Sequence, residues 1–134
     1  MSIYRQLTLY STILEEKSIK SLYKSMTFRE YQLKAKETAA YPDKGHNFIY
    51  ASLGLAGETG EVVDKIKKIW RDKNKQVSAE DKQEIAKEIG DVLWYLSQLA
   101  EELEINFDEV AQMNIDKIHS RLKRGVLHGS GDNR

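Results

Sequence analysis

Apolar residues recur at helical spacing through most of the chain after Met26, and two of the stretches carry the same pattern. In LGLAGETGEVVDKIKKI, Leu55, Val62, Val63, Ile66 and Ile69 form one stripe at about 100° per residue. In EIAKEIGDVLWYLSQL, Ile85, Ile89, Val92, Leu96 and Leu99 form a second. An offset of 30 residues superposes the two, pairing Leu55 with Ile85, Ala56 with Ala86, Glu58 with Glu88, Gly60 with Gly90, Glu61 with Asp91, Val62 with Val92, Ile66 with Leu96 and Ile69 with Leu99. They look like two copies of one helix.

Start and stop signals divide the rest. Thr27 and Glu30 have capping-box spacing and open a helix over about 28 to 40, which Tyr41 and Pro42 end because the residue before proline is pushed out of the helical region. A second helix runs from near Asn47 to about Arg71. The polar connection DKNKQVS leads to Ser78, a good N-cap for a third helix that ends near Leu103. Asn106 and Glu109 repeat the capping-box spacing and open a fourth, which stops before Gly125. With one proline, and glycines bunched near 54 to 60 and 125 to 131, the pattern predicts an all-α fold: a four-helix-bundle-like core built round a pseudo-repeated antiparallel helix pair. Residues 26–134 read as the folded domain and 1–25 as an N-terminal extension. Ile3, Leu7, Tyr10 and Leu14 have helix-compatible spacing, which leaves open a packed extra helix or a loosely attached segment.

Composition removes several chemistries. A chain of 134 residues suits one domain with an ordinary core. The absence of cysteine excludes disulfides, thiolate metal sites and a cysteine nucleophile. Lys plus Arg and Asp plus Glu balance at 21 each, so no overall basic surface invites duplex nucleic acid. No apolar run approaches a membrane span, and the N-terminus lacks the basic and apolar segments of a signal peptide. A cytoplasmic, membrane-free protein is expected.

Chemistry enters with the acidic residues. Glu58 lies at the margin of its apolar stripe with Glu61 about 60° further round, and Glu88 and Asp91 occupy the matching positions. If the two helices pack antiparallel through their stripes, four carboxylates gather along one seam. Such a cluster either shifts its protonation or binds cations, and oxygen-only ligation suits magnesium or manganese. A lone Glu-x-x-Glu is common on solvated helix faces; two copies at one angular position, each with an internal glycine, are not. Gly60 and Gly90 each cost about 1 kcal/mol against alanine in a helix interior. Close approach of the backbone to another helix or a ligand would explain them.

The fourth helix adds donors. Asn114 falls in its apolar face among Phe107, Val110, Ala111, Ile118 and Leu122, with Lys117 and Arg121 along the edge. Together the three could hold phosphate oxygens opposite the carboxylates. Lys65 and Lys68 lie near the acidic margin and could serve likewise, or simply pair with Glu61 and Asp64. Tyr31, Tyr41, His46, Phe48, Tyr50 and Tyr95 offer surfaces for a nucleobase, although aromatics at helical spacing usually pack a core. Trp94 lies opposite its helix's apolar stripe and would be exposed in a monomer, so a homodimer or homotetramer is expected.

The runs LGLAGETGEVVDKIKK, EIAKEIGDVLWYLSQLA and NIDKIHSRLKRGVLHGSGDNR together resemble the MazG-like nucleotide pyrophosphohydrolases of the all-α NTP pyrophosphatase superfamily, over roughly Met26 to the C-terminus. The resemblance implies magnesium-dependent hydrolysis of nucleoside triphosphates, deoxy forms included, to the monophosphate and pyrophosphate. It implies metal ligation by Glu58, Glu61, Glu88 and Asp91, and substrate contacts from Asn114, Lys117 and Arg121. Glu61 is the carboxylate expected to orient or deprotonate the water. The glycine-rich ending resembles a loop folded back toward the site, with Arg124 and Arg134 as phosphate contacts. Two rivals stand beside this reading. A di-iron carboxylate bundle would use Glu-x-x-His elements, but Glu61 and Asp91 stand where the histidines belong. A helical interaction module without catalysis would need the apolar stripes and Trp94 but not the four carboxylates.

Overall fold

A computed structural model describes residues 25–131, which form four α-helices and no strand. These are α1 (Phe28–Glu37), α2 (Phe48–Asp72), α3 (Ala79–Glu102) and α4 (Phe107–Lys123). The N-terminal segment 1–24 and Arg134 lie outside the described residues, and with them the expectations attached to both.

Local chemistry sets the helix ends. Thr27 and Glu30 make the full reciprocal capping box of α1, and Ser78 and Asp81 make that of α3. Asn47 caps α2 by accepting from the Tyr50 N–H at 3.0 Å. Asn106 caps α4 through the Asp108 N–H, so the predicted box with Glu109 does not close. The Asp108 carboxylate turns to α1 and accepts from the Arg29 N–H at 3.0 Å, so one helix start caps another. Helix α1 also ends three residues earlier than predicted: the Thr38 N–H and hydroxyl both turn back to the Ala35 carbonyl before Pro42 can act. At the end of α4 Gly125 adopts a left-handed φ of 69°. The Gly125 N–H reaches the Leu122 carbonyl and the Val126 N–H the Arg121 carbonyl, the paired bonds that close a Schellman turn.

The long helices α2 and α3 run antiparallel and share the most extensive contact, with α1 laid across α3 and α4 packed on α1. Leu55, Val62 and Ile69 of α2 and Ile85, Val92 and Leu99 of α3 are buried or half-buried, seven residues apart on each helix as in the seam of a coiled coil. Val63, Ile66, Ile89 and Leu96, expected in the same stripes, are exposed in the single chain. Small residues let α1 approach closely: Ala35, Ala39, Ala51 and Ala100 are all buried.

Two polar anchors fix α1 and the loop after it. Gln32 is fully buried, donates to the Ile105 carbonyl at 2.9 Å and accepts from the Phe107 N–H at 3.1 Å, tying α1 to the α3–α4 turn. Glu102, in the last turn of α3, accepts from the Tyr41 hydroxyl at 2.6 Å and from the N–H groups of Gly45 and Asn47 at 2.9 and 2.6 Å. A carboxylate opposes the dipole at that end of a helix. Its retention there is explained by the 42–47 loop, which it holds so that α2 starts in register. Burial works to raise the Glu102 carboxyl, but these hydrogen bonds and nearby His46 outweigh it and hold it below its ordinary value. The stability it adds is therefore complete above the ordinary carboxylate range and is lost as pH falls through the lowered value. Glu102→Ala should cost about 1–3 kcal/mol by leaving three donors unpaired. Thermal unfolding followed across pH should show the difference from the parent chain shrinking in acid; a constant difference would assign it to packing instead.

Candidate active site

The seam positions between the apolar rungs carry the charged groups. Glu58 and Lys65 of α2, and Glu88 and Tyr95 of α3, are all half-buried because each points between the helices. Oxygens of Glu58, Glu88 and Asp91 lie within 4.8 Å of one another. The sequence placed Glu58 at the margin of its stripe, whereas the packing draws it into the seam. Glu61 is exposed beside this triad and close enough to act on Glu58. Three of the four predicted carboxylates thus converge, and the fourth flanks them.

Electrostatics reflect the crowding. Burial, then the charges of Glu61, Asp91 and Glu88, push the Glu58 carboxyl above its ordinary range. Burial and Asp91 likewise raise Tyr31 on α1. Burial, the neighbouring Tyr50, and the charges of Glu58 and Asp91 raise Tyr95. The donor set is all oxygen, anionic and convergent, which fits a hard divalent cation and offers no nitrogen or sulfur to a softer metal.

Successive contacts along the antiparallel pair order the site. Gly54 meets Tyr95, Glu58 meets Asp91, and Lys65 reaches Glu88 at 3.0 Å and Glu84 at 3.5 Å. The carboxylates are bracketed by an aromatic rung on one side and a lysine rung on the other. Lys65 therefore pairs across the seam with α3 and not with Glu61, while Lys68 does pair with Asp64. Beyond Lys65 a cavity of about 240 Å³ is lined by Lys68, Lys73, Asp72, Asp81, Glu84, Ile69 and Ile85.

On the other side lies an aromatic cluster. Tyr41 and Tyr50 stack at 4.8 Å, and Trp94 meets Tyr41 and Tyr95 edge to face at 6.3 and 4.9 Å. The Trp94 Nε1–H donates to the Thr38 hydroxyl at 2.8 Å. Trp94 is thus packed within the chain and does not form the exposed patch expected of it. The tryptophan that is exposed is Trp70, at 63 %. His46 and Phe48 are exposed at the start of α2 and stand outside the ring contacts of this cluster.

Helix α4 occupies a different place from the one its sequence suggested. Asn114 and Lys117 are exposed on a helix that packs on α1, and only Arg121 is buried. Arg124 is exposed at the helix end. No other helix of the chain comes close at Gly60 or Gly90, since a methyl group at either would meet no atom within 4 Å; Gly54 makes that approach. Its sequence signal was a third glycine inside a helix, on the register of the seam.

A family model described as the MazG nucleotide pyrophosphohydrolase domain matches residues 50–126, a span that contains the whole triad. The "Gene 37 protein" of Mycobacterium phage L5 is 44 % identical over 109 residues, covering 78 % of this chain and 96 % of its own. No solved structure matches.

The raised carboxyl gives a signed expectation. At neutral pH the metal-free fold bears the repulsion at Glu58, so Glu58→Gln should raise its melting temperature, and the gain should vanish as pH falls through the raised value and the native carboxyl protonates. If magnesium binds the triad, the same variant should lose most of the stabilisation the ion gives, which is about 2.7 kcal/mol at one hundred times the dissociation constant. Differential scanning calorimetry with and without magnesium reads both; an unchanged metal increment would remove Glu58 from the ligand set.

Proposed function

Because the chain belongs to the MazG nucleotide pyrophosphohydrolase domain family, we propose that it hydrolyses nucleoside triphosphates, ribo or deoxy, to the monophosphate and pyrophosphate with magnesium. The observation that carries this reading is the convergence of Glu58, Glu88 and Asp91 inside the matched span. Magnesium or manganese, when bound, supplies neutralisation of phosphate charge and a more acidic water.

The residues then divide the work. Glu58, Glu88 and Asp91, with Glu61 beside them, would hold the cation. Glu61 is exposed and stands outside the converging triad, which leaves it to accept a proton. As water oxygen bonds to the α-phosphorus, the bond from that phosphorus to the α–β bridging oxygen breaks and pyrophosphate leaves; Glu61 takes the proton the water gives up. Lys65, on the rung beyond the triad, balances charge on the phosphates. Tyr95, on the opposite rung, contacts the nucleoside. Asn114 and Lys117, both exposed, bind phosphate oxygens in this reading, which requires α4 to meet a triad other than by its packing on α1; Arg121, buried in its own chain, stands behind them.

A second copy of the chain meets that requirement. Large apolar side chains stand exposed along α2 (Leu53, Val63, Ile66 and Trp70) and α4 (Met113, Ile115 and Leu122), more than a lone soluble domain usually leaves uncovered. A homodimer or homotetramer would bury these faces and bring α4 of one copy to the site of another. Among the described residues no helix is long and apolar enough to cross a membrane. A cytoplasmic setting accompanies the reading.

Three measurements test it. A panel of ribo- and deoxynucleoside triphosphates with magnesium should release pyrophosphate and monophosphate; single phosphate release would point to a different hydrolase. Glu61→Gln and Asp91→Asn should each lower turnover by about a hundredfold or more while circular dichroism keeps its helical signal. Retained activity in both would sink the assignment. Light scattering should give a mass of two or four chains, and a sharp monomer would remove the assembly.

A further inference from the structure

Gly54 sits in the interior of α2, where its backbone is helical and a glycine costs about 1 kcal/mol against alanine. Its conformation does not require glycine, so a neighbour must. That neighbour is the ring of Tyr95: a methyl group at position 54 would lie 2.1, 2.4 and 2.5 Å from Cε1, Cζ and Cδ1. Carbon atoms in contact stand about 3.5–4.0 Å apart. The ring therefore rests directly on the α2 backbone, in space that any side chain would take.

The ring is also fenced on its other sides. Trp94 meets it edge to face at 4.9 Å, and Tyr50 lies at 6.4 Å. Gly54 stands one helical turn before Glu58, and Tyr95 one turn after Asp91, so the pair forms the rung next to the carboxylates. A ring displaced from Gly54 by something over 1 Å has Trp94 and Tyr50 beside it and the next rung, Glu58 and Asp91, along the seam. Gly57, Gly60 and Gly90 also lie in helices, but a methyl group at any of them would meet no atom within 4 Å, so this close fit singles out Gly54.

We infer that Gly54 is a positioning residue for the reaction, setting how deeply Tyr95 lies in the seam and hence the room left for the base beside the carboxylates. The inference rests on the reading of Tyr95 as a nucleoside contact. Gly54 touches no substrate; it acts through the ring.

The test is Gly54→Ala made in two backgrounds, the parent chain and Tyr95→Ala, with the deoxynucleoside triphosphate panel and magnesium. In the parent background Gly54→Ala should raise KM about tenfold, within the range that a reshaped pocket contact supplies, and reorder the bases, with kcat changed far less. In the Tyr95→Ala background it should change neither. Magnesium should stabilise Gly54→Ala against heat as it does the parent, since the triad is not altered. If Gly54→Ala alone fails to fold, recovery of folding in the double variant supports the contact, and failure of the double variant as well overturns it. A parent-like Gly54→Ala, or an equal effect in both backgrounds, overturns the role of Gly54 alone. A Tyr95→Ala variant with parent KM and base order instead overturns the reading of Tyr95, and the role of Gly54 with it.

Discussion

Glu58 and Glu88, half-buried in the seam of α2 and α3, and Asp91 at its exposed edge are held together against their own repulsion, and the rest of the fold is arranged to bear it. Two unit charges within 4.8 Å repel by on the order of 3 kcal/mol at an effective dielectric of about 20. Solvent at the seam reduces that figure, and burial together with the charges of Glu61, Asp91 and Glu88 raises the Glu58 carboxyl. Nothing local favours the arrangement. What enforces it is the apolar heptad rungs on either side, Leu55, Val62 and Ile69 against Ile85, Val92 and Leu99, which are satisfied only when the intervening acidic positions face each other. Lys65 relieves part of the load from the neighbouring rung by bridging Glu88 and Glu84.

The polar anchors of α1 extend the same logic. An acidic seam of this kind depends on register, because a slip of α2 along α3 would separate Glu58 from Asp91. Glu102 holds the loop that starts α2, and Gln32 holds the turn that leaves α3. Both are polar groups placed where an apolar residue would pack at lower cost, and both make several hydrogen bonds to backbone. They specify where helices begin and end more than they add to the core, which is composed largely of alanines and aromatics.

Most of this was legible in the chain itself. Helix period, caps and the repeat of the two acidic helices pointed to four helices and an antiparallel pair, because these are local signals or direct consequences of one stripe meeting another. Angular position and antiparallel packing together led to an expected gathering of four carboxylates, of which three converge and Glu61 flanks them. Contacts between elements were less legible. Trp94 lies opposite the stripe that meets α2, and a helical wheel cannot show that α1 crosses on that side and takes its indole hydrogen onto Thr38. Gly60 and Gly90 drew notice because they repeat, whereas the glycine in close contact is Gly54, which has no counterpart in the second copy. Repetition marks a pattern that two helices share; a steric constraint can fall on one of them only.

The different placement of α4 has another origin. A stripe of Val110, Ile118 and Leu122 states that a face is to be covered but not by which chain. Taken within one chain, that face closes on the acidic helices and carries Asn114 and Lys117 to the phosphates. The folded chain uses the N-terminal end of α4 against α1, through the edge-to-face pair of Phe28 and Phe107 at 5.2 Å and the Asp108 cap, and leaves the rest of the apolar stripe open. The same uncovered character runs along α2 through Leu53, Val63 and Trp70. Two apolar faces stand open on one chain, one beside an acidic seam and one carrying the exposed Asn114 and Lys117. On those two faces rests the proposal of a site shared between copies.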